Sequence, residues 1–343
     1  MSAPGPIRTE AELDDRLSEP TPEVVAALGR MPGDILVLGV AGKMGPTLAR
    51  MAKRASDAAG VRRRVIGVSR FSAGGEESLR AHGIDTIRCD LLDASAVGRL
   101  PDATHAFFLA GRKFGSTSDE AATWATNAYL PGVVCDRFRR SRIVALSTGN
   151  VYGLVPVAGG GSREQDPPRP IGEYAMSCLG RERVFEHFSR SNGTPVTLVR
   201  LNYACELRYG VLVDLARKVW AGESIDLETG FFNTIWQGDA CAMTLLALEH
   251  AAAPASILNV TGSEVLSVRS VAERFGRRMN RPVRFAGAEA DTALLSDGRR
   301  ARELFGLPRV TTDQLIEWVA DWVIRGGRFL DKPTHFESRD GRF

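Results

Sequence analysis

The stretch Ile35-Leu36-Val37-Leu38-Gly39-Val40-Ala41-Gly42-Lys43-Met44-Gly45 limits the possible folds more than any other part of the chain. Four consecutive apolar residues read as a strand buried on both faces. Three glycines follow at G-x-x-G-x-x-G spacing, and Thr47-Leu48-Ala49-Arg50-Met51-Ala52 opens a helical pattern at once. Strand, glycine turn and helix in that order make a cradle for a dinucleotide pyrophosphate. Gly39 permits the tight turn, Gly42 lets the backbone approach phosphate, and Gly45 lets helix and strand pack closely. The helix N-terminus adds unpaired N–H groups and a partial positive charge. The candidate cofactor loop is therefore Gly39, Gly42, Lys43, Met44 and Gly45.

Downstream of Asp34, strands and helices alternate, which predicts a doubly wound parallel sheet of Rossmann type. The 343 residues are enough for a sizeable core in one large or two modest domains. A net charge of +3 is small for this length and argues against a nucleic-acid or membrane partner. Five scattered cysteines without C-x-x-C spacing suit reduced thiols in a cytoplasm. The five histidines show no ligand spacing, so no metal is expected. No apolar run reaches membrane-spanning length, and the N-terminus has no secretory pattern.

Residues 1–33 read as a helical packing extension. Thr9-Glu10-Ala11-Glu12 can form a capping box, and Thr21-Pro22 an N-cap and first-turn pair. The second strand, Arg64 to Val68, ends at Ser69-Arg70. Many dinucleotide folds carry an acidic residue there for the ribose 2′-OH. A small neutral residue followed by a cation suits a 2′-phosphate instead, so NADP is favoured, with NAD the alternative. The third strand leads into Asp90-Leu91. Asp90 can accept from the adenine amino group or cap a helix from Ala94 to Leu100. The fourth strand runs into Leu109-Ala110-Gly111, where small residues leave room for a cofactor ribose. Beyond it, Arg112 is a candidate for substrate contact, with simple solvation the alternative for it and for Lys113. A helix from Asp119 to Phe138, containing Asn127, precedes the fifth strand, Arg142 to Leu146.

That strand ends in Ser147-Thr148-Gly149-Asn150-Val151-Tyr152-Gly153, and Gly172-Glu173-Tyr174 opens an amphipathic helix. The order of glycine loop, S-T-G-N-V-Y-G and Tyr-led helix resembles the extended short-chain dehydrogenase/reductases. Within them it is similar to the NAD-dependent epimerase/dehydratase family, over about residues 34–260. The resemblance implies hydride transfer between a nicotinamide and a hydroxyl or carbonyl carbon. It places Thr148 on the substrate oxygen, and Tyr174 beside it as the acid/base of Y-x-x-x-K. It also implies a homodimer through the helices at Asp119–Phe138 and Tyr174–Ser189.

One residue departs from that pattern. The lysine of Y-x-x-x-K bonds the nicotinamide ribose, and its charge lowers the tyrosine's pKa. This chain has Cys178 there. A thiol is a weak donor, and a thiolate would raise the tyrosine's pKa. Three outcomes are open: slow but ordinary redox chemistry, altered chemistry that uses Tyr174 as an acid or Cys178 as a thiolate, or cofactor binding without turnover. Arg181, on the same helix face, can supply a replacement charge or simply pair with Glu182 or Glu186.

The sixth strand, Pro195 to Leu201, enters Asn202-Tyr203-Ala204. Relatives acting on nucleotide sugars show R-x-x-N and then Gly-Pro. Here Arg200-Leu201-Asn202 and Ala204-Cys205-Glu206 stand instead, so a smaller polyol, sugar acid or ketone is equally admissible. Asn202 is a candidate for both cofactor and substrate. Tyr203, Arg208, Asn233 and Trp236 are candidates for the substrate cleft, with a core position the alternative for Trp236. Asp239 is expected to cap the helix that follows.

The expected organisation is an extension at 1–33, a Rossmann domain at 34–200 completed by about 233–262, and a smaller, mostly helical substrate lobe at 201–232 and 263–343. The tail from Lys332 onward is expected to drape over the surface. The expected activity is NAD(P)-dependent oxidoreduction or epimerisation of a small polar, sugar-like substrate. Catalytic candidates are Thr148, Tyr174 and Cys178. A nucleotide-sugar epimerase/dehydratase and a noncatalytic NADP-binding sensor are the alternatives.

Overall fold

Seven strands form one parallel sheet in this computed structural model, which describes residues 5–332 and 334–342. They are β1 Ile35–Leu38, β2 Val65–Ser69, β3 Asp85–Arg88, β4 His105–Phe108, β5 Arg142–Thr148, β6 Val196–Leu201 and β7 Ser256–Val260. Their order is β7-β6-β5-β4-β1-β2-β3. β1 pairs with both β2 and β4, so the order reverses beside the glycine turn, where open α/β sheets bind ligands.

The helices are α1 Glu10–Leu17, α2 Pro22–Arg30, α3 Gly45–Ala58, α4 Glu76–Ala81, α5 Ala94–Gly98, the composite α6 over residues 120–137, α7 Gly172–Asn192, α8 Val211–Ala221, α9 Gln237–Leu246, α10 Val268–Met279, α11 Arg299–Phe305 and α12 Thr312–Ile324. Alternate residues of β1 face opposite ways, as the period of a strand requires. Ile35 and Val37 meet α2, α3 and α9 on one face. Leu36 and Leu38 meet α6 and α7 on the other. A separate core joins α8, α10 and α12.

Several sequence expectations need amending. α6 is not uniform: Glu120–Trp124 and Leu130–Arg137 are α-helical, but Ala125–Tyr129 between them is a π turn. Pro131 lacks the N–H that would bond the Asn127 carbonyl, so the regular ladder cannot continue there. α5 is capped by Asp93, whereas the Asp90 carboxylate accepts from the Leu92 N–H. Asp239 lies inside the first turn of α9, and its carboxylate accepts from Arg309 Nε and the Val310 N–H.

The chain ends are more than coverings. Leu13 and Leu17 of α1 are buried in the second core, and α1 carries the expected capping box of Thr9 and Glu12. In the tail, Thr334 and Phe336 are buried. Phe336 packs on Phe232, and Thr334 donates from both N–H and hydroxyl to Asp214. The tail anchors itself because two of its side chains find a core and a carboxylate. No helix among the described residues is long and apolar enough to cross a membrane.

Candidate active site

The cleft begins at the glycine turn. Gly39 has φ +86°, and a Cβ there would fall 2.6 Å from the Ala110 nitrogen. A Cβ on Gly45 would fall 2.1 Å from the Val40 carbonyl oxygen. α3 starts with no side-chain cap; the Gly45 N–H turns back to the Gly42 carbonyl at 3.2 Å and Pro46 carries none, so the helix offers the cleft its positive end rather than a row of free donors. A cavity of about 270 Å³ opens from the turn, lined by Gly39, Gly42, Ser69, Arg70, Asp90, Leu91, Leu109, Ala110 and Gly111. These predicted cofactor residues therefore do converge. Lys43, Met44 and Gly45 line a larger adjoining space of about 650 Å³ that also reaches Ser147, Tyr174, Arg181 and Arg208. Uncapped helix, glycine walls and elongated cleft fit a dinucleotide.

The far end is a chamber of about 210 Å³, bounded by Lys43, Lys113, Thr148, Asn150, Tyr174, Asn202, Tyr203 and Tyr209 among others. β5 runs two residues longer than expected and carries Ser147 and Thr148 to the rim. The Thr148 hydroxyl accepts from the N–H and side-chain amide of Asn150, which caps the turn Gly149–Tyr152. The Tyr174 hydroxyl lies within interaction range of the Thr148 and Cys178 side chains. Burial and then Cys178 push the Tyr174 pKa above its ordinary value, while Arg181 and Thr148 pull it down. Cys178 is buried behind Tyr174, beside Val151 and Tyr152. Burial raises its pKa too, so it is a neutral thiol at neutral pH, and the thiolate alternative loses its footing.

Arg181 does not pair with either neighbouring glutamate. Glu182 is held by Arg200 at 2.7 Å and by the Ser147 hydroxyl at 2.5 Å, and Glu186 by Arg183. Arg181 instead donates to the Leu146 carbonyl at 2.7 Å, to Asn127 Oδ1 at 2.8 Å, and to the Asn127 carbonyl at 3.3 Å. That last acceptor is the one Pro131 releases. Asn127 also accepts from the Arg112 N–H and donates to the Arg112 carbonyl and the Ser177 hydroxyl. The guanidinium lies so close to the end of β4 that a Cβ on Gly111 would meet it at 2.8 Å. It is an almost fully buried, permanent cation on the face of α7 that carries Tyr174 and Cys178, and it acts on both. A helical side chain leans toward the N-terminus of its helix, which lets position 181 act back toward position 174.

Not every candidate lies on the cleft. Arg112 is drawn to Asp119 at 3.2 Å. Asn233 is buried behind Asn202, accepting from its amide and donating to the Ser296 carbonyl. Trp236 packs edge-on against Trp318 in the second core. Arg208 does line the cleft but is bound to Glu206, Asp14 and Glu10. So the extension, expected only to pack, places Asp14 at the rim.

Sequence reasoning placed Lys43 in the cofactor loop and left Lys113 to solvent, whereas both border the chamber. Lys43 turns away from the glycine turn, donates to the Ala204 carbonyl at 2.8 Å, and sits 3.8 Å from the Tyr209 ring centroid. Lys113 donates to the Thr334 carbonyl at 2.9 Å, with its Nζ 5.9 Å from the Tyr174 ring centroid. Desolvation brings both down to about 8, and the charge of Lys43 also depresses Lys113. Local pattern gave no hint, because Thr334 and Tyr209 are remote in sequence. For Asn127 and Arg181, Pro131 inside a helical pattern was the available signal.

A parallel Rossmann sheet with a glycine cradle at its switch point, and a Tyr-led helix over the next strand ends, defines a dinucleotide-dependent enzyme of the extended short-chain dehydrogenase/reductase type. Residues 35–260 match the NAD dependent epimerase/dehydratase family, and the chain belongs to it. Among solved structures it is similar to the UDP-glucose 4-epimerase of Thermotoga maritima with UDP-glucose, at 20% identity and TM-score 0.70, covering 85% of this chain and 99% of that one. The Thermus thermophilus UDP-glucose 4-epimerase complex with NAD gives 23% identity and TM-score 0.69, with the same coverage. The dTDP-glucose 4,6-dehydratase of Bacillus anthracis in complex with NAD gives 14% identity and TM-score 0.71, covering 85% of this chain and 96% of that one. No curated protein matches the sequence.

Proposed function

We propose that the chain is an NADP-preferring oxidoreductase or epimerase acting on a hydroxyl or carbonyl carbon of a small polar, sugar-, polyol- or sugar-acid-like substrate. The observation that carries this reading is the meeting of Tyr174 with Thr148 and Cys178 beside Arg181 at the end of the glycine cleft. The bound dinucleotide supplies the hydride exchange. Gly39, Gly42 and the positive end of α3 would hold its pyrophosphate, Asp90 and Leu91 its adenine, and Ser69 with Arg70 a 2′-phosphate.

Thr148 orients the substrate oxygen, and Tyr174 exchanges its proton. With its pKa raised, Tyr174 is protonated at neutral pH, which suits it to donate to a carbonyl. Arg181 takes over the charge that the Y-x-x-x-K lysine supplies elsewhere, and Cys178 fills the space without adding one. A homodimer through α6 and α7 belongs to the same reading. Trp124 and Tyr129 of α6 and Met176 of α7 are exposed there, and sedimentation tests it.

A nucleotide-sugar substrate is the second reading, favoured by the UDP-glucose held in the Thermotoga maritima enzyme. Against it stands the sequence after β6, where Ala204-Cys205-Glu206 replaces the Gly-Pro of relatives acting on nucleotide sugars. The test is nicotinamide absorbance with keto sugars, sugar acids, polyols and UDP-glucose. Turnover of a small substrate that disappears in Tyr174→Phe supports the proposal. Tight NADPH binding with no turnover of any of them favours the sensor alternative.

A further inference from the structure

We propose that residues 334–341 of the tail form a fixed strap across the reaction chamber, which admits a small sugar or polyol and turns away a sugar joined to a nucleoside diphosphate. The inference rests on the hydride-transfer reading for what happens at Tyr174, and adds a rule for which substrates reach that residue.

The strap is bonded to both sides of the cleft. On the Rossmann side, the Thr334 carbonyl accepts from Lys113 Nζ at 2.9 Å, and the His335 ring lies 6.2 Å from the Phe114 ring, centroid to centroid. Gly341 then packs on Ile171 and Gly172, backbone against backbone. A Cβ on Gly341 would fall 2.2 Å from the Ile171 carbonyl oxygen, and one on Gly172 would fall 2.4 Å from the Gly341 oxygen. Gly172 opens α7, the helix that carries Tyr174. On the lobe side, Asp214 of α8 accepts from the Thr334 N–H at 2.9 Å and from its hydroxyl at 2.6 Å. Phe336 packs on Phe232, and Arg339 donates to the Thr292 carbonyl at 2.9 Å and to its hydroxyl at 2.7 Å. A segment held in turn by the two sides of a cleft crosses it.

The crossing point is the chamber itself, because Thr334 lines the same space as Thr148, Asn150 and Tyr174. Thr334 is buried there with its N–H, hydroxyl and carbonyl all engaged. Displacing it would strip the partly buried Asp214 carboxylate of two donors, a loss that water does not fully repay. The strap is therefore a wall and not a loose covering. The dinucleotide takes the glycine cleft that adjoins the chamber, and the strap closes a further side. A bulky group joined to the reacting sugar has to break the Thr334 anchors to enter, whereas a small substrate leaves them intact. Selectivity is a difference of affinities, and a fixed obstruction against the larger ligand is one way to build it. The strap lies outside residues 35–260, so the family match does not include it.

The experiment releases the strap in the full chain with Phe336→Ala and Gly341→Val, alone and together. Phe336→Ala removes the apolar anchor, and Gly341→Val drives a Cβ onto the Ile171 backbone at a position of φ +73°. Faster hydrogen exchange across residues 334–341 identifies the released forms, and NADPH affinity with melting temperature identifies those that are folded. Calorimetric titration of the NADPH-saturated protein with UDP-glucose then reads access. A released, folded form should bind UDP-glucose at least about tenfold tighter than the wild type does. Its KM for the best substrate of the small-molecule panel should rise, because one wall is gone, while NADPH affinity stays as it was. UDP-glucose that binds wild type and released forms alike, or binds none of them, overturns the inference. If release admits UDP-glucose but no form changes nicotinamide absorbance with any compound, the strap stands and the hydride-transfer reading fails. If the wild type turns over a small substrate and release alters neither its KM nor UDP-glucose binding, that reading stands and this inference fails.

Discussion

The two ends of the cleft are built by different rules. At the phosphate end, one continuous stretch, Ile35 to Ala58, supplies strand, turn and helix, and Gly39 and Gly45 each answer to a contact a Cβ would break. At the reaction end, no continuous stretch suffices. Tyr174 comes from α7, Thr148 from β5, Lys43 from the glycine loop, Lys113 from the loop after β4, and the Thr334 carbonyl that Lys113 meets from the tail. The phosphate end is set by backbone geometry, which local sequence encodes. The reaction end is set by charge, which depends on what the fold brings together.

This contrast can be broken first at the glycines. Gly45→Val should destabilise by about 3 kcal/mol or more, because its Cβ would press on the Val40 backbone rather than on a yielding side chain. Thermal melting reads it, and NADPH binding should be lost with it. At the other end, Tyr174→Phe should leave the melting temperature and NADPH affinity nearly unchanged while turnover drops by about 10²- to 10⁴-fold. A Tyr174→Phe variant that also loses NADPH would show the two ends to be one structural unit.

A smaller effect concerns the lysines. Their pKa values of about 8 lie below the ordinary lysine value, so the folded chain binds fewer protons than the unfolded chain between about pH 8 and 10.5. Stability of the free protein should therefore rise with pH across that window, and the charged lysines cost stability below it. Lys43 faces Glu206, Arg208, Cys205 and Cys241, and Lys113 faces Lys43, Asp214 and Cys178. Both residues are only partly buried, so solvent screening leaves about 1 kcal/mol for each. Lys113→Met should thus melt slightly higher at neutral pH. A lower melting point would assign Lys113 a structural role instead. The smallest effect is at the adenine end: Arg70→Ala should weaken NADPH binding by about tenfold and NADH binding hardly at all. Equal losses would remove the basis for NADP.

How much could be read in advance follows the same division. The first strand, the glycine turn and helices such as Val211–Ala221 and Thr312–Ile324 carry their periodicity in contiguous residues. Tyr174 and Thr148 came from a motif resemblance, and the sheet order brings them to one chamber. Pro131 signalled a carbonyl released at Asn127, but its pairing with Arg181 was not legible, because it depends on how α6, α7 and the end of β5 pack together. Asn233 and Trp236 were candidates for the substrate cleft, with a core position the alternative for Trp236; both are buried in packed interior, so for Trp236 the alternative holds. The tail is polar by composition, but Thr334 and Phe336 each find a buried place that no local pattern announces.

The central claim is that Arg181 has replaced the missing lysine at Cys178. Turnover of NADPH by the wild-type chain, Arg181→Met and Cys178→Lys, with the best substrate of the small-molecule panel, tests it most directly. Arg181→Met should lose about tenfold or more, and Cys178→Lys should gain nothing, because its new ammonium would be forced against an existing cation. A Cys178→Lys variant faster than wild type by an order of magnitude, with Arg181→Met unchanged, would contradict it.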